Sequence, residues 1–95
     1  MDELINYYLT ESSVDLIEIA LERLVRNTNE ENYLVVISSI ENHTESTELD
    51  MAMFINDVAN PNFASLETVI NGYLKFFTDA DAIEELNEAL GKIKA

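Results

Sequence analysis

The chain has few of the residues that interrupt helices or bind metals. It contains 95 residues with no cysteine, one proline, two glycines and a single histidine, His43. Without cysteine, neither a disulfide framework nor a thiolate metal site can form. One histidine excludes multi-histidine metal sites and leaves one candidate base for a Ser-His-Asp triad. We expect His43 to lie in a polar surface loop, because the residues around it are polar.

Basic residues are also scarce. Five Lys and Arg stand against nineteen Asp and Glu, which gives a formal net charge of -14. Binding to nucleic acid or to an anionic membrane surface requires Lys and Arg, so neither is expected here. The charge exceeds the roughly 2–8 that serves the solubility of a small domain, and it opposes folding by self-repulsion. The expected partner is therefore a basic surface of another protein, of the kind that holds nucleic acid.

Long apolar segments are absent as well. No run of about 18 apolar residues exists, and the start, Met1-Asp2-Glu3, is acidic where a signal peptide is basic. We therefore expect a cytosolic protein without a membrane span. The hydrophobic fraction of 47% is that of a folded chain rather than a disordered one. The length predicts a single all-α domain over residues 1–95.

Apolar residues recur at the three- and four-residue spacing of helices. Together with the short polar connections, this predicts an all-α fold, a small compact bundle of about five to six short antiparallel helices. The first two helices are predicted over residues 2–9 and 13–27. Pro61 is predicted to end the fourth helix, which follows Thr47. Gly72 lies inside the predicted fifth helix and indicates close packing there. Capping-box pairs mark three helix starts: Ser12 with Asp15, Thr47 with Asp50, and Thr78 with Asp81.

Later elements show two further patterns. The fifth helix is predicted after Ser65, with an apolar face that ends at Phe77. The last helix has a predicted inner face spaced by 3, 4 and 3 residues, formed by Ile83, Leu86, Leu90 and Ile93.

Residues 33–37 are compatible with two structures. Their sequence, Tyr-Leu-Val-Val-Ile, is rich in β-branched residues and resembles a buried strand. The chain offers no second strand to pair with it, and an isolated strand leaves its backbone hydrogen bonds unsatisfied. We therefore predict a helix, with Asn29 as its cap and Glu30 and Glu31 in its first turn.

The acidic residues fall into two classes. About half lie near predicted helix N-termini, where a carboxylate stabilises the helix dipole by roughly 0.3–1 kcal/mol. Two groups are explained least by this role, although Glu48 and Asp50 also serve a helix start. No Lys or Arg occurs between Arg26 and Lys75. The first group is expected on one helix face and the second around a central turn, and both are candidate partner-binding residues: Glu11, Asp15, Glu18 and Glu22, and Glu41, Glu45, Glu48 and Asp50.

Enzymatic and cofactor chemistry is not indicated. Asp79-Ala80-Asp81 begins like a calcium loop but lacks the central Gly and the final Glu. No Glu-x-x-His pair for a di-iron site occurs. We expect no metal, no cofactor and no catalysis. Of the aromatic residues, Tyr7 and Tyr8 are adjacent on one helix and cannot both face inward, so one is a candidate interface anchor. Phe76 and Phe77 are expected in the core.

Several functions remain open for such a chain. It is similar in general character to phage counter-defence proteins, including anti-CRISPR and anti-restriction proteins, which are often small, acidic and free of enzymatic motifs. In this reading its carboxylates imitate phosphates and block a nucleic-acid groove. An immunity protein that neutralises a basic nuclease toxin is an alternative, and it would rely on aromatic anchors near its acids. An acidic adaptor or subunit, and a halophile protein with a solvating acidic surface, are two others.

The net charge predicts that salt stabilises the fold. Repulsion among like charges is screened as ionic strength rises, and at 0.15 M the Debye length is about 8 Å. The melting temperature should therefore rise between low and moderate sodium chloride at neutral pH, as followed by circular dichroism. A melting temperature that falls over this range would show that local ion pairing outweighs the repulsion.

Overall fold

The computed structural model describes residues 2–10, 13–43 and 47–94, and all regular structure within them is helical. The predicted all-α class, with five to six helices, is confirmed. None of these helices is both long and apolar enough to cross a membrane. The described residues contain six helices: α1 (Asp2–Thr10), α2 (Val14–Asn27), α3 (Tyr33–Glu41), α4 (Glu48–Val58), α5 (Leu66–Leu74) and α6 (Ala80–Lys94).

The contacts divide the chain into two units, Met1–Ser46 and Thr47–Ala95. In the first unit, α1 packs against both α2 and α3. The ring of Tyr8 is buried and lies against His43, with 4.4 Å between ring centroids. His43 is itself buried, so its predicted surface position is wrong. The apolar core of this unit is formed by Ile5, Tyr8, Ala20, Leu24, Val36, Ile37 and Ile40.

Helix α3 confirms the helical interpretation of the β-branched segment. It buries Val36, Ile37 and Ile40, so the helical spacing of the apolar residues outweighs the β-propensity of the segment. The helix starts at Tyr33, later than the Asn29 cap implied. Asn29 accepts hydrogen bonds through Oδ1 from the backbone N–H groups of Glu31 (2.9 Å) and Asn32 (3.1 Å). This side chain shapes the turn that leads into α3, and the predicted first-turn acids lie in that turn.

In the second unit, α4 and α5 both pack against α6. Six of the eleven residues of α4 are buried, from Met51 to Val58. The buried residues of α6 are Ala82, Leu86, Ala89 and Ile93. The predicted inner face is therefore correct at Leu86 and Ile93 but displaced elsewhere. Two alanines occupy the centre of the interface, and the larger Ile83 and Leu90 lie half-buried at its edges.

The helix starts of this unit are stabilised by side-chain caps. The predicted box at α4 is confirmed: Thr47 Oγ1 accepts from Asp50 N–H at 3.1 Å, and Asp50 Oδ2 accepts from Thr47 N–H at 3.2 Å. The box predicted for Thr78 is wrong. Asp79 Oδ1 accepts instead from the N–H groups of Asp81 (2.9 Å) and Ala82 (3.3 Å). The Thr78 hydroxyl is directed to another helix, where it donates to Glu48 at 3.4 Å.

Other predicted helix limits are partly met. Helix α4 ends at Val58, just before Asn60-Pro61, as the proline predicts. Ser65 is the N-cap residue of α5 but makes no side-chain cap hydrogen bond. The same is true of Ser13 at α2, whereas Ser12, the predicted cap, lies outside the described residues. Helix α5 ends at Leu74, and Phe77 beyond it stacks on Tyr73 with 5.2 Å between centroids.

Gly72 is not in the tightly packed position that the sequence suggested. A Cβ atom built there meets no heavy atom within 4 Å, and the backbone has no positive φ. The prediction of close packing is therefore wrong. Glycine in a helix interior is about 1 kcal/mol less favourable than alanine, and nothing around this position offsets that cost.

Replacing Gly72 by alanine should stabilise the protein. Gly72→Ala is expected to raise the free energy of unfolding by about 0.5–1 kcal/mol, because it reduces backbone freedom in the unfolded chain. Urea unfolding followed by circular dichroism measures this change. Gly91→Ala in α6, where an added Cβ also meets nothing within 4 Å, is the matched comparison. A loss of stability at Gly72 alone would reveal a packing constraint on α5.

Candidate anionic surface

The carboxylates separate into two groups by burial. Every Asp and Glu side chain that the structure describes is exposed or half-buried. Only four of these described side chains are half-buried, and each of the four contacts another group of the protein. They are Glu48, Asp50, Glu67 and Glu85. The half-buried acids all support the fold, and so do some exposed ones, such as Asp79 at the start of α6 and Glu88 beside Asn56.

Glu48 joins the start of α4 to the start of α6. Its Oε1 accepts hydrogen bonds from the backbone N–H groups of Thr78 (2.7 Å) and Asp79 (2.9 Å). Unpaired N–H groups at a helix start carry partial positive charge, so a carboxylate is a favourable partner for them. Thirty residues separate the two ends of this contact, and no local sequence pattern predicts it. Glu48 therefore has a structural role that reduces its value as a partner-binding candidate.

A polar cluster lies between α4 and α6. Asn56 is only 6% exposed, and its Nδ2 donates to Glu85 Oε2 (2.6 Å) and Glu88 Oε2 (3.1 Å). Lys92 Nζ donates to the backbone oxygen of Asn56 at 2.9 Å. Asn56 Oδ1 is buried and has no hydrogen-bond partner. Two carboxylates of α6 thus accept hydrogen bonds from one buried amide.

Ion pairs account for little of the negative charge. Glu67 pairs with Lys94 at 3.4 Å, and Glu22 pairs with Arg26 at 3.9 Å as the four-residue spacing predicts. Both partners of the Glu22 pair are mostly exposed, and such pairs contribute about 0–1 kcal/mol.

Helix α2 carries the clearest row of solvent-facing carboxylates. Asp15, Glu18 and Glu22 are exposed on one face, opposite the buried Ala20 and Leu24. Their spacing along the helix axis is about 4.5 and 6 Å, from a rise of 1.5 Å per residue. The side chains of Asp15 and Glu18 make no hydrogen bond or ion pair within the described residues. Asp15 lies in the first turn of α2, where the helix dipole favours a carboxylate, and Glu22 pairs with Arg26. Because like charges at this spacing repel, helix stability explains only part of the row.

The rest of the predicted set is divided. Glu11 and Glu45 lie outside the described residues, and α2 begins only at Val14. Glu41 is the exposed last residue of α3. Glu48 and Asp50 belong to the second unit, where both bind backbone N–H groups. Among the eight candidates, the row on α2 is therefore the group that the structure brings together on one exposed face.

Exposed apolar side chains are the feature that the sequence analysis missed. Phe76 was expected in the core, but it is 77% exposed, so that prediction is wrong. Tyr7 is exposed and Tyr8 buried, which confirms that the two cannot both face inward. The large exposed apolar residues are Tyr7, Leu9, Leu16, Ile19, Leu34, Val35, Met53 and Phe76. For α3 the sequence did indicate exposed apolar side chains. Residues 33–37 are all apolar, and a helix formed from them has more apolar residues than one buried face needs.

No converging set of three or more His, Asp or Glu side chains that could hold a metal ion is found in the described ranges. The Asp79 carboxylate, which begins the calcium-like sequence, caps α6 instead. In comparisons with known proteins, the chain matches no family model, no curated protein and no solved structure. Its function is therefore argued from its own surface.

The cap formed by Glu48 should be measurable as stability. Glu48→Ala removes the acceptor of two backbone N–H groups at α6 and should lower the free energy of unfolding by about 1–2 kcal/mol. Glu84→Ala is the control, because Glu84 is exposed and unpartnered in the described structure, and it should change stability by less than about 0.5 kcal/mol. Equal effects of the two substitutions in urea unfolding would contradict the structural role of Glu48.

Proposed function

We propose that this protein is a non-enzymatic inhibitor that binds the nucleic-acid-binding surface of a basic partner protein. The observation that carries the proposal is the row of exposed carboxylates on α2, Asp15, Glu18 and Glu22. Helix stability accounts for only part of the row, through the first-turn position of Asp15 and the Glu22–Arg26 pair, and the three charges repel one another. A basic groove on a partner would relieve that repulsion, as it does for the phosphates of a nucleic-acid strand.

The spacing of the row supports this reading. A DNA strand carries one phosphate per 3.4 Å of rise, and the carboxylates on α2 follow one another at about 4.5 and 6 Å. Although the linear charge density is lower, the sign and the one-sided presentation are alike. The excess charge of the whole chain adds long-range attraction, which raises association rates with a cationic partner.

The class of protein we propose is a nucleic-acid mimic acting in the cytosol, such as a phage counter-defence or anti-CRISPR protein. An immunity protein that neutralises a basic nuclease toxin is the second candidate. The observation in its favour is the exposed Tyr7, together with the exposed aliphatic residues of the same unit. Anchors of this kind dominate the dissociation rate in interfaces of that type.

Charge reversal on α2 should slow association with the partner. The partner is first isolated from the native host with the tagged protein and identified, and binding is then followed by surface plasmon resonance. Asp15→Lys with Glu18→Lys should lower kon by tenfold or more while koff changes little, because the row acts through long-range steering. The matched control is Asp57→Lys with Glu84→Lys, which changes the net charge equally at exposed positions of the second unit.

Competition decides between inhibition and simple association. The partner should lose its nucleic acid when this protein binds, and binding should weaken steeply with salt. A partner that holds this protein and its nucleic acid together, without loss of affinity for either, would rule out mimicry. Equal loss of kon in the α2 and control variants would show that net charge alone acts, and that α2 is not the contact surface.

A further inference from the structure

Helix α3 exposes two large apolar side chains, Leu34 and Val35, together with Ser38 and Glu41 on the side away from its buried face. Its inner residues, Val36, Ile37 and Ile40, are buried. On the outer side Leu34 is 58% exposed and Val35 is 57% exposed, the two most exposed aliphatic side chains that the structure describes. The core of this unit therefore does not require these two residues to be apolar.

Helix stability does not explain them either. Valine is a poorer helix former than most polar straight-chain residues, because its branched Cβ loses rotamer freedom against the preceding turn. At an exposed position it gains no burial in return. Single exposed apolar residues are common, but Leu34 and Val35 are adjacent on a helix of nine residues. Their apolar surface is therefore available for contact with another molecule.

The surroundings of this pair define the chemistry of that molecule. Glu30 and Glu31 are exposed in the turn before α3, and Glu41 is exposed at its end. Leu34 lies three residues after Glu31 and seven before Glu41, so carboxylates border the apolar pair along the helix. No Lys or Arg occurs between Arg26 and Lys75 in the sequence. An apolar centre with an acidic border complements an apolar stripe bordered by Lys and Arg.

We propose that Leu34 and Val35 form the apolar centre of a docking surface for a basic amphipathic helix of the partner protein. In this arrangement the partner's apolar residues cover Leu34 and Val35, and its Lys and Arg side chains reach Glu30, Glu31 and Glu41. A second copy of this chain is a poor occupant, because it would bring identical acidic borders together. An anionic membrane is disfavoured for the same reason.

This inference extends the proposed function and rests on it for the basic character of the partner. The two act on different kinetic steps. The acids of α2 accelerate the encounter, and the apolar pair on α3 holds the complex once formed. The two can therefore fail independently in one set of measurements.

The test uses two fluorescein-labelled peptides of about 18 residues, both made only of Leu and Lys. In one, Leu is placed at positions i, i+3, i+4 and i+7 so that a helix has an apolar stripe. In the other, the same residues are scrambled so that no stripe forms. Fluorescence anisotropy gives the Kd of each for the full chain at about 0.15 M salt. The amphipathic peptide should bind at least about tenfold more tightly than the scrambled one.

The variant with Leu34→Gln and Val35→Thr should abolish this tenfold preference while leaving the weak, charge-driven binding of the scrambled peptide unchanged. Met53→Gln is the matched control. Met53 is 46% exposed on α4, with Asp50 three residues before it and Asp57 four after it, so it has the same apolar and acidic character. This control should retain the preference. Circular dichroism of each variant verifies that the helices remain.

Four outcomes would overturn the inference. Equal binding of both peptides would do so, as would a preference that survives in the α3 variant. If the double variant with Leu16→Gln and Ile19→Gln loses the preference while the α3 variant keeps it, the docking surface lies on α2. Self-association in sedimentation, or binding to phosphatidylglycerol vesicles, that disappears in the α3 variant would identify another occupant.

Failure of the proposed function is separable from failure of this inference. If charge reversal at Asp15 and Glu18 weakens both peptides equally while neither is preferred, the acidic surface stands and the docking surface fails. If the preference is present but charge reversal has no effect, the docking surface stands and the role of α2 fails.

Discussion

Nineteen carboxylates share five Lys and Arg residues in this chain, so most negative charges have no ionic partner available. In the described structure, backbone N–H groups serve as partners of carboxylates in place of the missing cations. Glu48 accepts from the backbone of Thr78 and Asp79, and Asp79 accepts from the backbone of Asp81 and Ala82. The first four backbone N–H groups of each helix have no acceptor within the helix, so helix starts supply such donors. An all-helical fold with many short helices therefore suits an acidic sequence, because each start offers a site for a carboxylate.

This constraint separates the acids that support the fold from those whose side chains have no partner within the described residues. The half-buried carboxylates bind backbone, amide or ammonium groups, and their removal is a matter of stability. Asp15 and Glu18 on α2 have no such partner in the described residues and lie on a face that repels itself. The apolar pair on α3, Leu34 and Val35, likewise contributes little to the core of its own unit.

Local sequence patterns predicted the fold class and several helix limits well. The Thr47–Asp50 box and the stop before Pro61 depend on neighbouring residues only, and both are present. Patterns failed where a distant residue competed. Thr78 does not cap α6, because its hydroxyl and its backbone N–H both donate to the carboxylate of Glu48, thirty positions earlier. The inner face of α6 was misjudged because size was taken as a sign of burial, whereas Ala82 and Ala89 lie at the centre of the interface. His43 was misjudged because its polar neighbours concealed its contact with Tyr8.

The buried amide of Asn56 has a consequence for how α6 is aligned along α4. The apolar stripe of α6 nearly repeats after seven residues, with Ala82 and Leu86 followed by Ala89 and Ile93. Apolar packing alone therefore distinguishes poorly between two alignments that differ by two helical turns, or about 10.5 Å. Only one of them brings Glu85 and Glu88 to the Asn56 Nδ2 and Lys92 to its backbone oxygen. If α6 moved by seven residues so that Lys92 took the place of Glu85, Asn56 Nδ2 would face an ammonium donor instead of a carboxylate acceptor, and an unsatisfied buried donor costs about 1–3 kcal/mol. A single polar residue thus selects one of two otherwise similar ways of joining the helices.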